Sequence, residues 1–316
     1  MVQSVLFTIP RAGAEATEHF GMCDASAAVG VGPDLFVVAN DEDNVLRVYR
    51  NDGDGAAIRS FDLAPFLEPE KRREADIEGA ARVGDRVYWI ASHGRNKNGK
   101  KRPTRQRFFA ADVTLEGDEV TITPVGAPYK DLLDDLLNAP QLADFDLKAA
   151  SKRAPKDAEA LNIEGLCATP GGVLLIGFRN PIPDGKALLV PLENPQDVIE
   201  GAKATLGDPI LLSLGGLGVR SIDYSESHGV YFIVAGRYDG GDEFRLYKWS
   251  GDASDDPESV EGVDFGGLSP EALVVYVAET TRIQVLSDDG TKSVDGEDCK
   301  DAPTEKMSFR STRIRP

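Results

Sequence analysis

The chain has 316 residues, a hydrophobic fraction of 41% and a formal net charge of −18 at pH 7. Its length is enough to bury a large core, as one repetitive domain or two ordinary ones. The acidic balance makes duplex nucleic acid and anionic membrane surfaces poor partners, so we expect the protein to bind neither. Nowhere do about 18 apolar residues follow one another, so the sequence predicts no membrane-spanning helix.

The N-terminal residues MVQSVLFTIPRAG contain a short apolar stretch without a basic flank, which does not fit a secretory signal. The three cysteines, Cys23, Cys167 and Cys299, are odd in number and widely scattered. This pattern argues against a disulfide framework. Together these features predict a cytoplasmic protein.

An internal repeat then runs along the chain. Residues 24–41, 76–93 and 162–179 align without a gap, and each copy passes through a turn with Gly or Pro into an apolar run: LFVVA, VYWIA and VLLIG. A fourth copy from Val219 matches in its second half, and a fifth from Ser269 matches only at its start. Unbroken apolar runs bounded by turns indicate strands buried on both faces.

Further strands follow each pair. We predict third strands at residues 45–50, 106–113, 187–192, 244–249 and 282–286, and weaker fourth strands at residues 119–125 and 210–214. The repeats lack the helices that parallel crossovers need, whereas four antiparallel strands per unit are typical of a β-propeller. The sequence therefore predicts an all-β, single-domain propeller (residues 1–316) of about five four-stranded blades, with six as the alternative.

Two segments fall outside the repeat. A strand at residues 4–9 has no partner nearby, so we expect it to complete the last blade, close to residues 307–314. The wider spacing between the second and third copies indicates an insertion at about residues 129–160. Within it Tyr129, Leu132, Leu133, Leu136 and Leu137 lie at helical spacing, which predicts a short helix packed on the outside of the propeller or over one end.

The strand order places the repeat openings and the ends of the apolar runs on one face. Glu78, Glu164 and Glu271 occupy one repeat position there, with Ser26 and Ser221 as its equivalents in the other two blades. Near them lie further polar residues: Asp24, Asp76, Asp41, His93, Arg95, Asn96, Lys97, Arg179, Asn180, Arg220 and Arg237. Convergent carboxylates are ligands suited to Ca²⁺ or Mg²⁺, and no organic cofactor is expected. Alternatively, the three glutamates accept hydrogen bonds from the backbone of the neighbouring blade.

The loop of residues 93–107 holds seven Lys or Arg residues and no acid, in a chain that is otherwise acidic. It is interpreted as an anion-binding loop, with a solvated turn that balances the local acidic field as the alternative. In the first interpretation His93, Arg95, Lys97 and Arg179 orient and neutralise an anionic substrate.

Long stretches of the chain resemble a bacterial family of β-propeller proteins that carries a domain of unknown function. The resemblance rests on DIEGAARVGDRVYWIASHGRNKNGK, on NIEGLCATPGGVLLIGFRNPIPDGKALLVPL, and on GGLGVRSIDY, FRLYKWSG and LSPEAL. It implies a propeller and no established activity. More distantly, the chain is similar to phytase-like and nucleotidase propellers, which implies Ca²⁺ held by carboxylates on one face.

Two functional hypotheses follow. In the first, a divalent ion on Glu78, Glu164 and Glu271 serves a hydrolase of a phosphate ester or a similar anionic small molecule. In the second, the propeller is a non-catalytic scaffold that binds a protein or a small ligand on the same face.

Overall fold

The computed structural model describes residues 16–67, 73–117, 119–277 and 281–316. In these residues the chain forms five antiparallel sheets of four strands, and a short extra strand joins the last sheet in parallel. The first strands of consecutive sheets pack side by side, and that of the fifth sheet returns to the first. The predicted all-β, five-bladed propeller is thus confirmed.

The first four blades follow the chain in simple order from the inner to the outer strand. Blade 1 comprises Ala25–Val31, Leu35–Asn40, Val45–Arg50 and Arg59–Asp62. Blade 2 comprises Ile77–Val83, Arg86–Ala91, Phe108–Glu116 and Glu119–Tyr129. Blade 3 comprises Asn162–Ala168, Leu174–Asn180, Ala187–Leu192 and Ile210–Leu212. Blade 4 comprises Gly218–Ser225, Val230–Gly236, Phe244–Trp249 and Glu258–Ser259.

Blade 5 joins the two ends of the described chain. Its strands are Pro270–Val274, Ile283–Ser287, Ser308–Ile314 and Thr17–Phe20, and Gly55–Ala56 lies beside the last of them. The prediction of residues 282–286 as a third strand was wrong, because that run is the second strand and the segment of residues 307–314 supplies the third. The predicted strand at residues 4–9 lies outside the described residues.

Few residues are helical. The α-helices are Ala64–Leu67, Leu132–Asn138, Leu147–Ala150 and Pro195–Ile199. Short 3-10 helices occur at Pro103–Arg105, Pro140–Phe145, Pro183–Gly185, Cys299–Asp301 and Thr304–Lys306. A small hairpin pairs Ser293–Val294 with Glu297–Asp298. None of the helices in the described ranges has both the length and the apolar character needed to cross a bilayer.

The hydrophobic core is divided into five clusters, one between each pair of neighbouring blades. Trp89 and Phe109 lie between blades 1 and 2, whereas Trp249 lies between blades 3 and 4. The predicted helix of the insertion buries Leu132 and Leu136 in the cluster between blades 2 and 3. Each blade is therefore stabilised mainly by burial of apolar surface against its two neighbours.

A disulfide joins Cys23 and Cys299 across 276 residues of sequence, while Cys167 is a buried free thiol. The expectation of no disulfide was therefore wrong. Cys23 precedes the inner strand of blade 1, and Cys299 lies in the connection between the second and third strands of blade 5. Ring closure brings these two segments together, which the spacing of the cysteines in the sequence does not reveal.

Candidate functional site

Every inner strand of the propeller is interrupted by a β-bulge close to its beginning. In each blade one inner-strand residue is left out of the regular pairing, and these residues are Ser26, Glu78, Glu164, Arg220 and Glu271. A bulge bends the strand and redirects a side chain. The same position of each blade thus contributes one side chain to one end of the central channel, which we call the channel mouth.

The position of the bulge in blade 4 shows that the repeat alignment was wrong by one residue there. Ser221 was predicted to be equivalent to Glu78, but the bulged residue is Arg220. The Ser221 hydroxyl instead accepts a hydrogen bond of 3.0 Å from the backbone N–H of Leu273 in the next blade. The apolar run aligned the second strands correctly, but it carried no signal for a shift of one residue in the inner strand.

Arg220 divides the channel mouth into two unlike halves. Its guanidinium forms ion pairs with Glu164, at 2.9 Å, and with Glu271, the bulged residues of the blades on either side. Arg179 adds a second ion pair to Glu164, with 2.6 Å between its Nη1 and the carboxylate Oε1. On this side of the mouth the buried Glu164 and the half-buried Glu271 are therefore neutralised by arginine.

The opposite side contains carboxylates with much less compensation. Asp41, Asp76 and Glu78 each place a carboxylate oxygen within 4.8 Å of the others, and we call these three residues the carboxylate cluster. Glu78 is 9% exposed, and Oδ1 of Asp41 is fully buried without a hydrogen-bond partner among the described residues. Arg105 reaches the cluster with one ion pair of 2.9 Å to Asp76.

Burial and mutual repulsion shift the titration of the cluster. Burial, followed by the charges of Asp76, Glu164 and Asp41, raises the pKa of Glu78 well above its ordinary value. Burial and the neighbouring acids likewise hold the pKa of Asp41 well above its usual range. The pKa of Asp76 is raised less, to about 6, because Arg105 opposes the effect of burial. The cluster thus favours either bound protons or a bound cation.

A second acidic pair borders the cluster. Asp24 and Asp288 form an isolated β-bridge between blades 1 and 5. Burial, together with the charge of Asp288 and a hydrogen bond to it, raises the pKa of Asp24 to about 8. The charge of Asp24 is also the largest single contribution from a neighbouring acid to the raised pKa of Asp41. The negative potential therefore extends from blade 2 across blade 1 to blade 5.

The structure gives different surroundings to the four residues that were predicted to bind an anion. His93 is buried, its Nδ1 lies 2.7 Å from the carbonyl oxygen of Ala91, and burial lowers its pKa to about 4. Arg95 donates to the carbonyl oxygens of Ser151 and Gly99, so it anchors the inserted segment. Lys97 is exposed to solvent.

Arg179, the fourth of these residues, pairs with Glu164 and donates to the carbonyl oxygen of Pro155 at 3.0 Å. The basic loop also supplies Arg105, which the sequence did not single out and which binds both Asp76 and Glu74. Part of the loop therefore balances acidic residues nearby, and part of it holds the loop and the insertion in place.

The three predicted metal ligands are likewise divided. Glu164 and Glu271 share Arg220, whereas Glu78 lies in the carboxylate cluster with Asp41 and Asp76. Oxygen atoms of carboxylates are the ligands that Ca²⁺ and Mg²⁺ prefer. Glu78, Asp41 and Asp76 are therefore the residues that could hold a divalent cation, and Arg220 leaves Glu164 and Glu271 less suited to it.

Replacement of Glu78 by glutamine is expected to stabilise the ion-free protein by about 1–3 kcal/mol at pH 8, because a buried carboxylate without a partner is removed. Because the pKa of Glu78 is raised in the folded state, its proton stabilises the fold fully below the pKa of the unfolded chain, about 4.3. This stabilisation is lost as the pH rises. The difference in unfolding free energy between Glu78→Gln and the wild type should therefore vanish near pH 4 and grow towards pH 8. Urea titrations across this range measure it, and a difference that shrinks with rising pH would contradict the electrostatics described here.

The comparisons with known proteins concern the family and the fold. A family model described as "Protein of unknown function (DUF3616)" matches residues 24–116 and 124–282. No curated protein matches the chain significantly.

Among solved structures, a GH43 β-1,3-galactosidase with galactodeoxynojirimycin is 9% identical over 92% of this chain and 90% of its own, with a TM-score of 0.51. The glutaminyl cyclase of Myxococcus xanthus is 11% identical over 96% of each chain, with a TM-score of 0.48. The PQQ-bound aldose sugar dehydrogenase of Streptomyces coelicolor is 11% identical over 95% of this chain and 99% of its own, with a TM-score of 0.46. At such identities the likeness concerns the fold alone. The resemblance to phytase-like propellers stays a prediction.

Proposed function

The chain belongs to the DUF3616 family of proteins of unknown function, and from the residues at its channel mouth we propose that it is a divalent-cation-dependent hydrolase of a phosphate ester or a similar anionic small molecule. The observation that carries this proposal is the carboxylate cluster. Asp41, Asp76 and Glu78 bring three carboxylate groups within 4.8 Å, and a single ion pair, from Arg105 to Asp76, compensates them among the described residues.

The cluster has the chemistry of a hard-cation site. Its ligands are oxygen atoms, and they come from two adjacent blades, at or next to paired strands. A Ca²⁺ or Mg²⁺ ion would replace the protons that burial favours on Glu78 and Asp41. Such an ion supplies a Lewis acid that can neutralise the charge of a phosphoryl or carboxyl group.

Lysine side chains can assist in binding an anionic substrate. Lys97, Lys100 and Lys101 are exposed in the loop between the second and third strands of blade 2. This loop returns to the same end of the channel as the bulged residues, because the four strands of a blade are antiparallel. The three ammonium groups would attract the anion and neutralise part of its charge, a role that Arg179 is prevented from taking by its ion pair with Glu164.

Titration with Ca²⁺, Mg²⁺ or Mn²⁺ tests this proposal through the melting temperature and the hydrolysis of p-nitrophenyl phosphate. At least one ion is expected to raise the melting temperature and to support turnover. The variants Glu78→Gln and Asp76→Asn should lose the ion-dependent stabilisation and lower the activity by more than about 100-fold, since they remove ligands themselves. Asp144→Asn, which alters an exposed acid of the insertion, is the matched control.

Failure of all three ions to change either the melting temperature or the rate would overturn the proposal. Stabilisation by an ion without hydrolysis of phosphate or carboxylate esters would instead favour a non-catalytic, cation-binding scaffold. One observation supports that alternative: the long connections, namely residues 92–107, the inserted segment and residues 288–307, all lie on the face of the channel mouth. Capture of a partner by the wild type, lost when Lys97, Lys100 and Lys101 become alanine, would identify that surface.

A further inference from the structure

A long connection of blade 5 contacts blade 1 at Asp24 and Glu42, next to the carboxylate cluster. Residues 288–307 join the second strand of this blade to the third, and the disulfide between Cys23 and Cys299 fixes this connection to blade 1. The backbone N–H of Asp289 also donates to the carbonyl oxygen of Cys23 at 2.9 Å. The approach is so close that a Cβ atom at Gly290 would collide with Oδ1 of Asp24.

Lys300 follows the disulfide-bonded Cys299, so its positively charged side chain lies close to blade 1. Its Nζ lies 2.7 Å from Oε1 of Glu42, the residue next to Asp41. Its side chain is 35% exposed, so the ammonium group sits at the edge of the mouth and not within the core. Its positive charge also acts on Asp24, where it partly offsets the rise in pKa that burial and Asp288 cause.

We propose that Lys300 is a built-in counter-ion of the carboxylate cluster and that the Cys23–Cys299 disulfide holds it in place. A divalent cation that binds the cluster must overcome the repulsion of the Lys300 charge. This role rests on the proposed cation site. In the structure Lys300 pairs with Glu42, and the proposed role requires that its flexible stem of four carbon atoms lets the ammonium group also approach Asp24 and Asp41.

The disulfide determines how far this counter-ion can move away. Cys299 and Cys23 are buried, and their neighbours in sequence are Lys300 and Asp24 respectively. With the cross-link intact, the Lys300 backbone cannot leave the mouth, and its positive charge raises the free energy of an added divalent cation. Without the cross-link, the connection of residues 288–307 can withdraw and take the charge with it.

The test measures the dissociation constants of Ca²⁺ and Mg²⁺ by calorimetry at low ionic strength. Lys300→Met is expected to tighten binding by about three- to tenfold, an effect that shrinks as added salt screens the charge. Lys300→Arg keeps the charge and should bind like the wild type. Lys306→Met is the matched control, because Lys306 lies in the same connection but pairs with Asp295.

Removal of the disulfide provides the second arm. Cys23→Ala/Cys299→Ala is expected to tighten binding as Lys300→Met does, and the combined variant should bind no more tightly than either. Treatment of the wild type with a dithiol should have the same effect, as the reductant becomes a cyclic disulfide and the two cysteine sulfurs each gain a proton.

The outcomes separate this inference from the proposed function. If the wild type binds a divalent ion and Lys300→Met binds it equally well, Lys300 is no counter-ion, although the cation site stands. If the loss of the disulfide weakens binding or leaves it unchanged, the disulfide does not hold the counter-ion. If no variant binds any ion, the cation site and the role of Lys300 both fail.

Discussion

Arg220→Met is expected to lower the free energy of unfolding by about 3–5 kcal/mol, because it leaves Glu271 without its arginine and the buried Glu164 with Arg179 alone. Arg220 is 5% exposed and pairs with Glu164 and Glu271, which belong to the blades on either side. Methionine keeps most of the volume but none of the charge. Equilibrium unfolding in urea at pH 7 gives the difference directly.

Two further variants show whether the charge is the cause. Arg245→Met removes an exposed arginine that pairs with Glu243 at 2.8 Å, and it should leave the free energy of unfolding nearly unchanged. Arg220→Met combined with Glu271→Gln removes the charge that Arg220→Met leaves unpaired and should regain part of the loss. If this double variant is no more stable than Arg220→Met, packing of the arginine stem, and not its charge, holds the three blades together.

Loss of the disulfide is the second change with a large expected effect. Cys23→Ala/Cys299→Ala should lower the free energy of unfolding by about 3–5 kcal/mol, since the cross-link spans 276 residues and restricts the unfolded chain strongly. It also joins blade 1 to blade 5 beside the place where the ring closes. The melting temperatures of the double variant and of the wild type, with and without a dithiol, measure the effect.

Cys167→Ala provides the control for this experiment. Cys167 is a buried thiol in the cluster between blades 3 and 4, so its replacement changes the core without touching a cross-link. A dithiol should destabilise Cys167→Ala as much as it destabilises the wild type, and should leave the double variant unaffected. Equal melting temperatures for the wild type and the double variant would show that non-covalent contacts alone keep the ring closed.

Sequence periodicity predicted most of the fold because the second strand of a blade is buried on both faces. The runs LFVVA and VYWIA lie wholly in such strands, and VLLIG enters one at its second residue, Leu174. Blade 5 was assigned only in part, since its strands come from both ends of the described chain and its two middle strands are separated by residues 288–307. A repeat of neighbouring strands in the sequence cannot predict that Thr17–Phe20 pairs with Ser308–Ile314, because these strands lie far apart in the chain.

The sequence indicated which residues share one face of the propeller, but not which of them contact one another. Strand order alone brought Asp41, Asp76 and Glu78 to one face, and the structure gathers their oxygen atoms. The same reasoning gave Glu164 and Glu271 equal weight with Glu78, because it missed the bulge that points Arg220 towards them. A shift of one residue in a strand changes which side chain faces the channel, and hydrophobic periodicity does not register it.

Blade 5 also brings together charged residues that lie far apart in the sequence. Asp41, Asp76 and Glu78 belong to the first two blades made during synthesis, whereas Gly290, Lys300 and the strand Ser308–Ile314 come from the last part of the chain. The acids therefore precede the lysine that pairs with Glu42 beside them by most of the length of the chain, and only closure of the ring brings the two together.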